Sequence, residues 1–296
     1  MLIASTHGQI SEPDLQGHRG ARGLYPENTL AAFDAAVRYG MTTLELDLHY
    51  TADQRFVVFH DDELSEENCV LPTDRELPSM VLHELTLEQI QSVDVGSPRN
   101  PKFPKQTLLP PTPPLAFREF LEAIRSRSQE QAEYRGVRFN IELKLAPESV
   151  EQIDLVQVAH QLVAILDEYG IRSCSTIQSF HIPFIAIVEK EIGDIRTSAL
   201  FSPSRFQGLQ LKLGMSANSD KIIRQALEAK ADILSPHFLY ASKSFIERCH
   251  EHGLEVIPWT VNDPKIILQL FQNGIDGIIS DYPDLLAQTY QDWKKS

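Results

Sequence analysis

Cysteine is scarce in this chain: of 296 residues only Cys69, Cys174 and Cys249 are cysteines, far apart and in no metal-ligand spacing. Odd in number and isolated, they exclude a disulfide framework and point to reduced, structural thiols. Long hydrophobic runs are also missing. No stretch approaches the ~18 consecutive apolar residues of a membrane-spanning helix. Met1 to Asp14 has neither the basic start nor the apolar core of a secretory signal. We therefore expect a cytoplasmic protein. Basic residues are outnumbered, 27 Lys and Arg against 41 Asp and Glu, for a formal net charge of -14. Such a field disfavours nucleic acid, and it disfavours stable association with an anionic membrane. An anionic small molecule is compatible with it only where a bound cation or a few placed Arg and Lys offset the repulsion. No glycine-rich phosphate fingerprint follows the first strand candidate, which argues against a doubly wound nucleotide fold.

What is present centres on Thr42 to His60. Leu44, Leu46 and Leu48 alternate with Glu45, Asp47 and His49, the period-2 pattern of a strand, so two carboxylates and an imidazole share one face. The break at Thr51 to Gln54 and the return through Phe56 to Phe59 predict a hairpin that folds His60 back opposite Glu45 to Asp47. A second strand, Gly136 to Leu145, repeats the pattern, with Asn140, Glu142 and Lys144 on its polar face. Were the two strands neighbours, at roughly 4.8 Å, Glu142 would join Glu45 and Asp47 around one ion with Lys144 beside it. An all-oxygen set suits Mg²⁺ or Ca²⁺ rather than zinc. The same alternation also suits a solvated strand face.

Taken in order, a strand from Leu15 to Gly20 ends in His18 and Arg19, and a helix begins at the Asn28-Thr29 cap and stops at Gly40. His18 by itself reads more readily as a satisfied core histidine. Residues 62–113 are acidic, then proline-rich, with one short helical piece near Thr86 to Ser92, so they form an insertion or lid. From Leu115 onward helices and strands alternate. A helix is predicted over 149–169, and none between the strand at 196–202 and the helix at 218–229. Setting aside 56–60 as the antiparallel return, eight parallel strands remain, which predicts a (β/α)₈ TIM barrel, an α/β fold in one catalytic domain over 1–296. In such a barrel the C-terminal strand ends carry the site, and they include His18, Ser179-Phe180, His237, Trp259 and Asp281. Trp259 is a candidate substrate contact or a packed lid.

The set His18-Arg19-Gly20, Pro26-Glu27-Asn28-Thr29, Glu45-x-Asp47, His60-Asp61 and Glu142-x-Lys144, in this order, resembles the glycerophosphodiester phosphodiesterase family. Ser179-Phe180, Trp259-Thr260-Val261-Asn262 and Asp281-Tyr282-Pro283 resemble that family's later signatures. The resemblance implies a TIM barrel with an inserted segment, binding one divalent cation and hydrolysing glycerophosphodiesters to glycerol 3-phosphate and an alcohol. It implies Glu45, Asp47 and Glu142 as metal ligands, His18 and His60 as general acid and base, and Arg19 and Lys144 as phosphate contacts. Attack by the neighbouring hydroxyl of the substrate glycerol, giving a cyclic phosphate that water opens, is implied with them. Glu27 would support Arg19 or stand beside the metal, and for Asn28 a helix cap suffices. Gln178, His181 and the segment Phe238 to Tyr240 depart from the family pattern and are expected on the substrate rim. Two other functions fit less well. A phospholipase D-like lyase acting on lysolipids or sphingolipids would need an exposed apolar lip and a secretion route, and neither is evident in the sequence. A catalytically silent metal- and phosphodiester-binding module would have lost a histidine or a carboxylate, whereas all five are present.

Overall fold

A computed structural model describes residues 12–213 and 218–296. Ten strands are formed among the described residues: β1 (Asp14–Gly17), β2 (Thr43–Tyr50), β3 (Phe56–Val58), β4 (Leu115–Ala116), β5 (Arg138–Leu143), β6 (Ser175–Ser179), β7 (Arg196–Phe201), β8 (Ile233–Pro236), β9 (Glu255–Val256) and β10 (Gly277–Ser280). Eight of them pair in parallel in the order β10-β1-β2-β5-β6-β7-β8-β9. Backbone bonds from Ile279 to the Pro258 carbonyl and from Val261 to the Ile279 carbonyl, each 3.0 Å, join the two ends of this row. The predicted barrel is therefore the observed fold. β3 and β4 stand off it as an antiparallel extension of β2, with Leu48 opposite Val58.

Alternation along β2 sends Leu44, Leu46 and Leu48 outward into a core shared with Phe33, Phe117 and Phe120. Each fully buried side chain of this size is worth roughly 1.5–3 kcal/mol. The intervening polar positions point inward, and they are not solvated: Glu45, Asp47 and Asn140 are all buried. Inside the barrel, Asn140 Nδ2 donates to Gln16 Oε1 at 2.7 Å and to Gln178 Oε1 at 3.1 Å. The opposite inner wall is mainly apolar, built from Ile233, Ile257 and Ile279, with one buried hydroxyl pair, Ser198 and Ser235, at 3.0 Å. The carboxylates of β2 and β5 line the other half, which fixes where chemistry can occur.

Two local expectations need correction, and the insertion adds a feature that the sequence reading did not contain. The predicted helix over 149–169 is two, Pro147–Val150 and Leu155–Glu168, because the Asp154 carboxylate accepts from Val156 N and Gln157 N and starts a new helix. An unexpected helix, Arg205–Lys212, follows β7 under a Ser204-Gln207 capping box. The insertion is not structureless. Leu64, Leu82, Leu85, Leu87, Ile90 and Val93 form a second core against Val57, Phe59 and Ala116 of the β3–β4 extension.

Candidate active site

The turn after β1 is held by sterics. A Cβ on Gly17 would lie 2.4 Å from the Gly20 carbonyl oxygen, and Gly20, at φ +80, would drive one to 2.5 Å from the Ala32 backbone. Only glycine fits at either place. This tight packing on the helix Leu30–Arg38 sets His18 and Arg19 at the barrel mouth, and the His18 N–H donates to the Ser280 carbonyl at 2.9 Å.

β2 and β5 are neighbours, with Asp47 paired to Glu142. As expected from the two alternating strands, oxygens of Glu45, Asp47 and Glu142 lie within 4.8 Å of one another, and all three residues are buried. Lys144 Nζ sits 2.7 Å from Glu142 Oε1 and 3.1 Å from Asp47 Oδ1. Arg19 Nε lies 3.2 Å from Asp47 Oδ2, and its NH1 lies 2.7 Å from Glu27 Oε1. Glu27 thus supports Arg19, and also Arg22 at 2.6 Å, and is not part of the acidic cluster. Asn28 is not the helix cap, a role Thr29 takes by accepting from Ala32 N. At φ +57 it turns inward, and its Nδ2 donates to Asp47 Oδ2 at 2.9 Å. Gln178 is likewise not on the rim: it is buried and donates to Glu45 Oε1 at 3.1 Å.

Two cations do not balance three buried carboxylates. Burial, then the charges of Asp47 and Glu142, push Glu45 well above the carboxylate range, and Glu142 is raised mainly by burial. Asp47 goes the other way: against burial, the Lys144 and Arg19 charges hold it well below its usual value. Its Oδ1, though near Lys144, makes no aligned hydrogen bond. A strained acidic set with an underused oxygen fits a hard divalent cation, and it contains no soft ligand.

The two histidines are each oriented by a carboxylate. His18 Nδ1 is 2.6 Å from Asp281 Oδ1, whose other oxygen accepts from Asn262 Nδ2 at 2.7 Å. Burial and the Arg19 charge pull His18 down to about 4 despite Asp281. Against burial, His18 and Arg22 hold Asp281 at about 2. His60 Nδ1 is 2.7 Å from Asp61 Oδ1, and its side chain is 29% exposed. His49, the imidazole read on the carboxylate face, is buried and meets the His60 carbonyl through Nε2 at 3.2 Å. Trp259 stands apart from the acids: its ring N–H donates to the Ser235 carbonyl at 3.0 Å and it meets Phe180 edge-on at 5.4 Å. Asp281 was legible as a polar strand end and as part of a family-like signature, but not as the partner of His18, which lies 263 residues away in sequence.

A cavity of about 520 Å³ lies between Glu27, Asn28 and His60 on the barrel side and Val95, Pro98, Arg99 and Lys102 of the insertion. A second hollow, about 280 Å³, is lined by His60, Glu142, Lys144 and Phe180. His60 borders both.

One consequence is measurable without substrate. Burial holds both His18 and His49 down to about 4, whereas an unfolded imidazole titrates near 6.5. Below the latter value the unfolded chain takes up protons that the folded one refuses, so each imidazole contributes a loss of stability as pH drops from about 6.5 to 4, on the order of 3 kcal/mol. The raised Glu45 and Glu142 act with the opposite sign, so the variant comparison isolates the ring: across that window the wild-type urea midpoint should lose more than that of His49→Gln. An equal change in the two proteins would show that His49 is not buried neutral.

Residues 18–285, spanning every group just described, match the glycerophosphoryl diester phosphodiesterase family. A putative glycerophosphodiester phosphodiesterase of Bacillus subtilis, YhdW, is 28% identical over 271 residues, covering 92% of this chain and 95% of the relative. A human lysophospholipase D is 25% identical over 286 residues, 91% of this chain and 83% of its own. The fold agrees with that of a putative glycerophosphoryl diester phosphodiesterase from Silicibacter pomeroyi, at TM-score 0.80 and 24% identity over 97% and 96% of the two chains. It also agrees with an Oleispira antarctica phosphodiesterase solved with the product sn-glycerol-3-phosphate, at TM-score 0.68 and 24% identity over 96% and 97%. With the family's residue order intact and its barrel in place around the buried acids, this chain belongs to the glycerophosphoryl diester phosphodiesterase family.

Proposed function

We propose that this chain is one catalytic domain, residues 62–113 being an insertion within it, that hydrolyses glycerophosphodiesters to glycerol 3-phosphate and an alcohol. The observation that carries the reading is the buried set of Glu45, Asp47 and Glu142 together with two carboxylate-oriented histidines, His18 next to the Arg19 N–H that donates to Glu45 and His60 bordering one hollow with Glu142. Glu45, Asp47 and Glu142 would hold one Mg²⁺ or Ca²⁺, which when bound polarises a phosphoryl oxygen and offsets the charge of the diester. Arg19, buried, and Lys144, partly buried, both fixed by their carboxylates, add positive charge beside the phosphate without the cost of ordering a mobile side chain.

His18 is assigned as the base. Burial keeps it neutral, and an Nδ1–H given to Asp281 leaves the Nε2 lone pair to take the proton of the attacking hydroxyl. His60 is assigned as the acid that protonates the departing alcohol oxygen. It borders both hollows, so the two arms of a diester would lie on either side of it, and its partial exposure lets solvent restore the proton. Trp259 and Phe180 would pack against the substrate at the rim.

Asp281→Asn should lower kcat by about 10- to 100-fold with KM nearly unchanged, because the amide no longer fixes the tautomer. Unaltered kcat would remove Asp281 and the base assignment together. The function itself is tested by products: glycerophosphocholine should give glycerol 3-phosphate and choline. Phosphocholine and glycerol would mean that the other ester bond is cut.

A further inference from the structure

We infer that the rim built by the loops after β6, β7, β8 and β9 is a docking surface for an anionic phospholipid bilayer, with the helix Arg205–Lys212 lying among the headgroups. This helix buries none of its residues. Phe206 at 69%, Leu209 at 57% and Leu213 at 69% are the three most exposed large hydrophobic residues among the described ones. Their spacing, i, i+3 and i+7, puts all three on one face. A helix that only completed the barrel would turn that face inward. Here only Leu211 packs on the core.

The apolar surface continues toward the site. A Cβ on Gly208 would lie 4.0 Å from Leu239 Cδ1, so the helix rests on the segment after β8. From there the His237 ring stacks on Phe238 at 4.6 Å, meets Trp259 at 5.6 Å, and Trp259 meets the half-exposed Phe180 at 5.4 Å. Contiguous exposed apolar area of this kind marks an interaction surface.

Charge selects the occupant. The net charge of -14 predicted against a membrane, and as a whole-chain average it does; its distribution is uneven. The loops after these strands, residues 180–181, 202–218, 237–242 and 257–263, contain one acid, Asp263, in a chain with 41 Asp and Glu, and Asp220, which opens the helix Ser219–Glu228, is paired with Arg248. Arg205 and Lys212 bracket the exposed helix face. Exposed Phe and Leu flanked by cations, with no carboxylate in their own segment, match the interface between anionic headgroups and acyl chains. The apolar lip that the sequence did not reveal is therefore present, and docking there would turn the barrel mouth toward the lipid.

Vesicle sedimentation reads docking without any turnover, so it can fail independently of the proposed activity. Phosphatidylcholine vesicles containing phosphatidylglycerol should bind the protein in a salt-sensitive manner, and pure phosphatidylcholine much less. The triple variant Phe206→Ser/Leu209→Ser/Leu213→Ser should lower the partition coefficient by about tenfold or more while keeping the thermal midpoint. Arg205→Gln/Lys212→Gln, which leaves the apolar face intact, should lose the preference for phosphatidylglycerol, and it decides the matter should the triple variant fail to fold. No vesicle binding by the wild type, or equal preference in the charge variant, overturns the proposal. So does a wild-type dimer in light scattering that the triple variant dissolves, since the face would then belong to a second copy of the chain.

Discussion

Replacing His18 with alanine is expected to lower kcat on glycerophosphocholine by about 10²- to 10⁴-fold, with little change in KM. The expectation rests on how completely the ring is committed. Its backbone is tied to Ser280, its Nδ1 to Asp281, and the tight turn at Gly17 and Gly20 admits no drift. Such fixation serves a proton transfer better than it serves binding. No described hydrogen bond of the ring goes to the acidic cluster, so the substitution should leave divalent-cation affinity, read by calorimetry, near the wild-type value. A variant that keeps wild-type kcat would show that another group takes the proton.

Asp47→Ala should act on both stability and turnover. Asp47 is fully buried and is the shared partner of Arg19, Lys144 and Asn28. Without it buried Arg19 and partly buried Lys144 lose a counter-charge and an amide loses its acceptor, a loss of about 3–5 kcal/mol by analogy with broken buried ion pairs. The urea midpoint should fall accordingly, and Asp47→Asn, which keeps the volume, should fall less. Both should lose divalent-cation binding and with it measurable turnover. An unchanged midpoint in Asp47→Ala would mean that Arg19 and Lys144 find other partners and that the cluster is not a coupled unit.

The barrel and the acidic set could be read from sequence because strand alternation is local: Glu45-x-Asp47 and Asn140-x-Glu142 each announce a face. The structure added only their pairing, Asp47 with Glu142. What could not be read depends on distant chain or on backbone geometry. Asn28 looks like a cap until its left-handed backbone turns it onto Asp47. Gln178 looks like rim until β6 brings it beneath Glu45. Asp281 finds its role through the closure of the barrel, which sets β10 beside β1. The helix Arg205–Lys212 escaped because it is only eight residues long and carries Gly208, which leaves too few apolar repeats to set a period. Insertion core residues from Leu64 to Val93 fall at irregular intervals that follow no single period.

Release of glycerol 3-phosphate from glycerophosphocholine, followed before chelation, after chelation and after Mg²⁺ or Ca²⁺ is returned, tests the central claim most directly. The account predicts turnover that chelation abolishes and one of these ions restores, with no restoration in Asp47→Asn. Turnover that survives exhaustive chelation, or that returns equally in Asp47→Asn, would contradict a catalytic ion held by Glu45, Asp47 and Glu142.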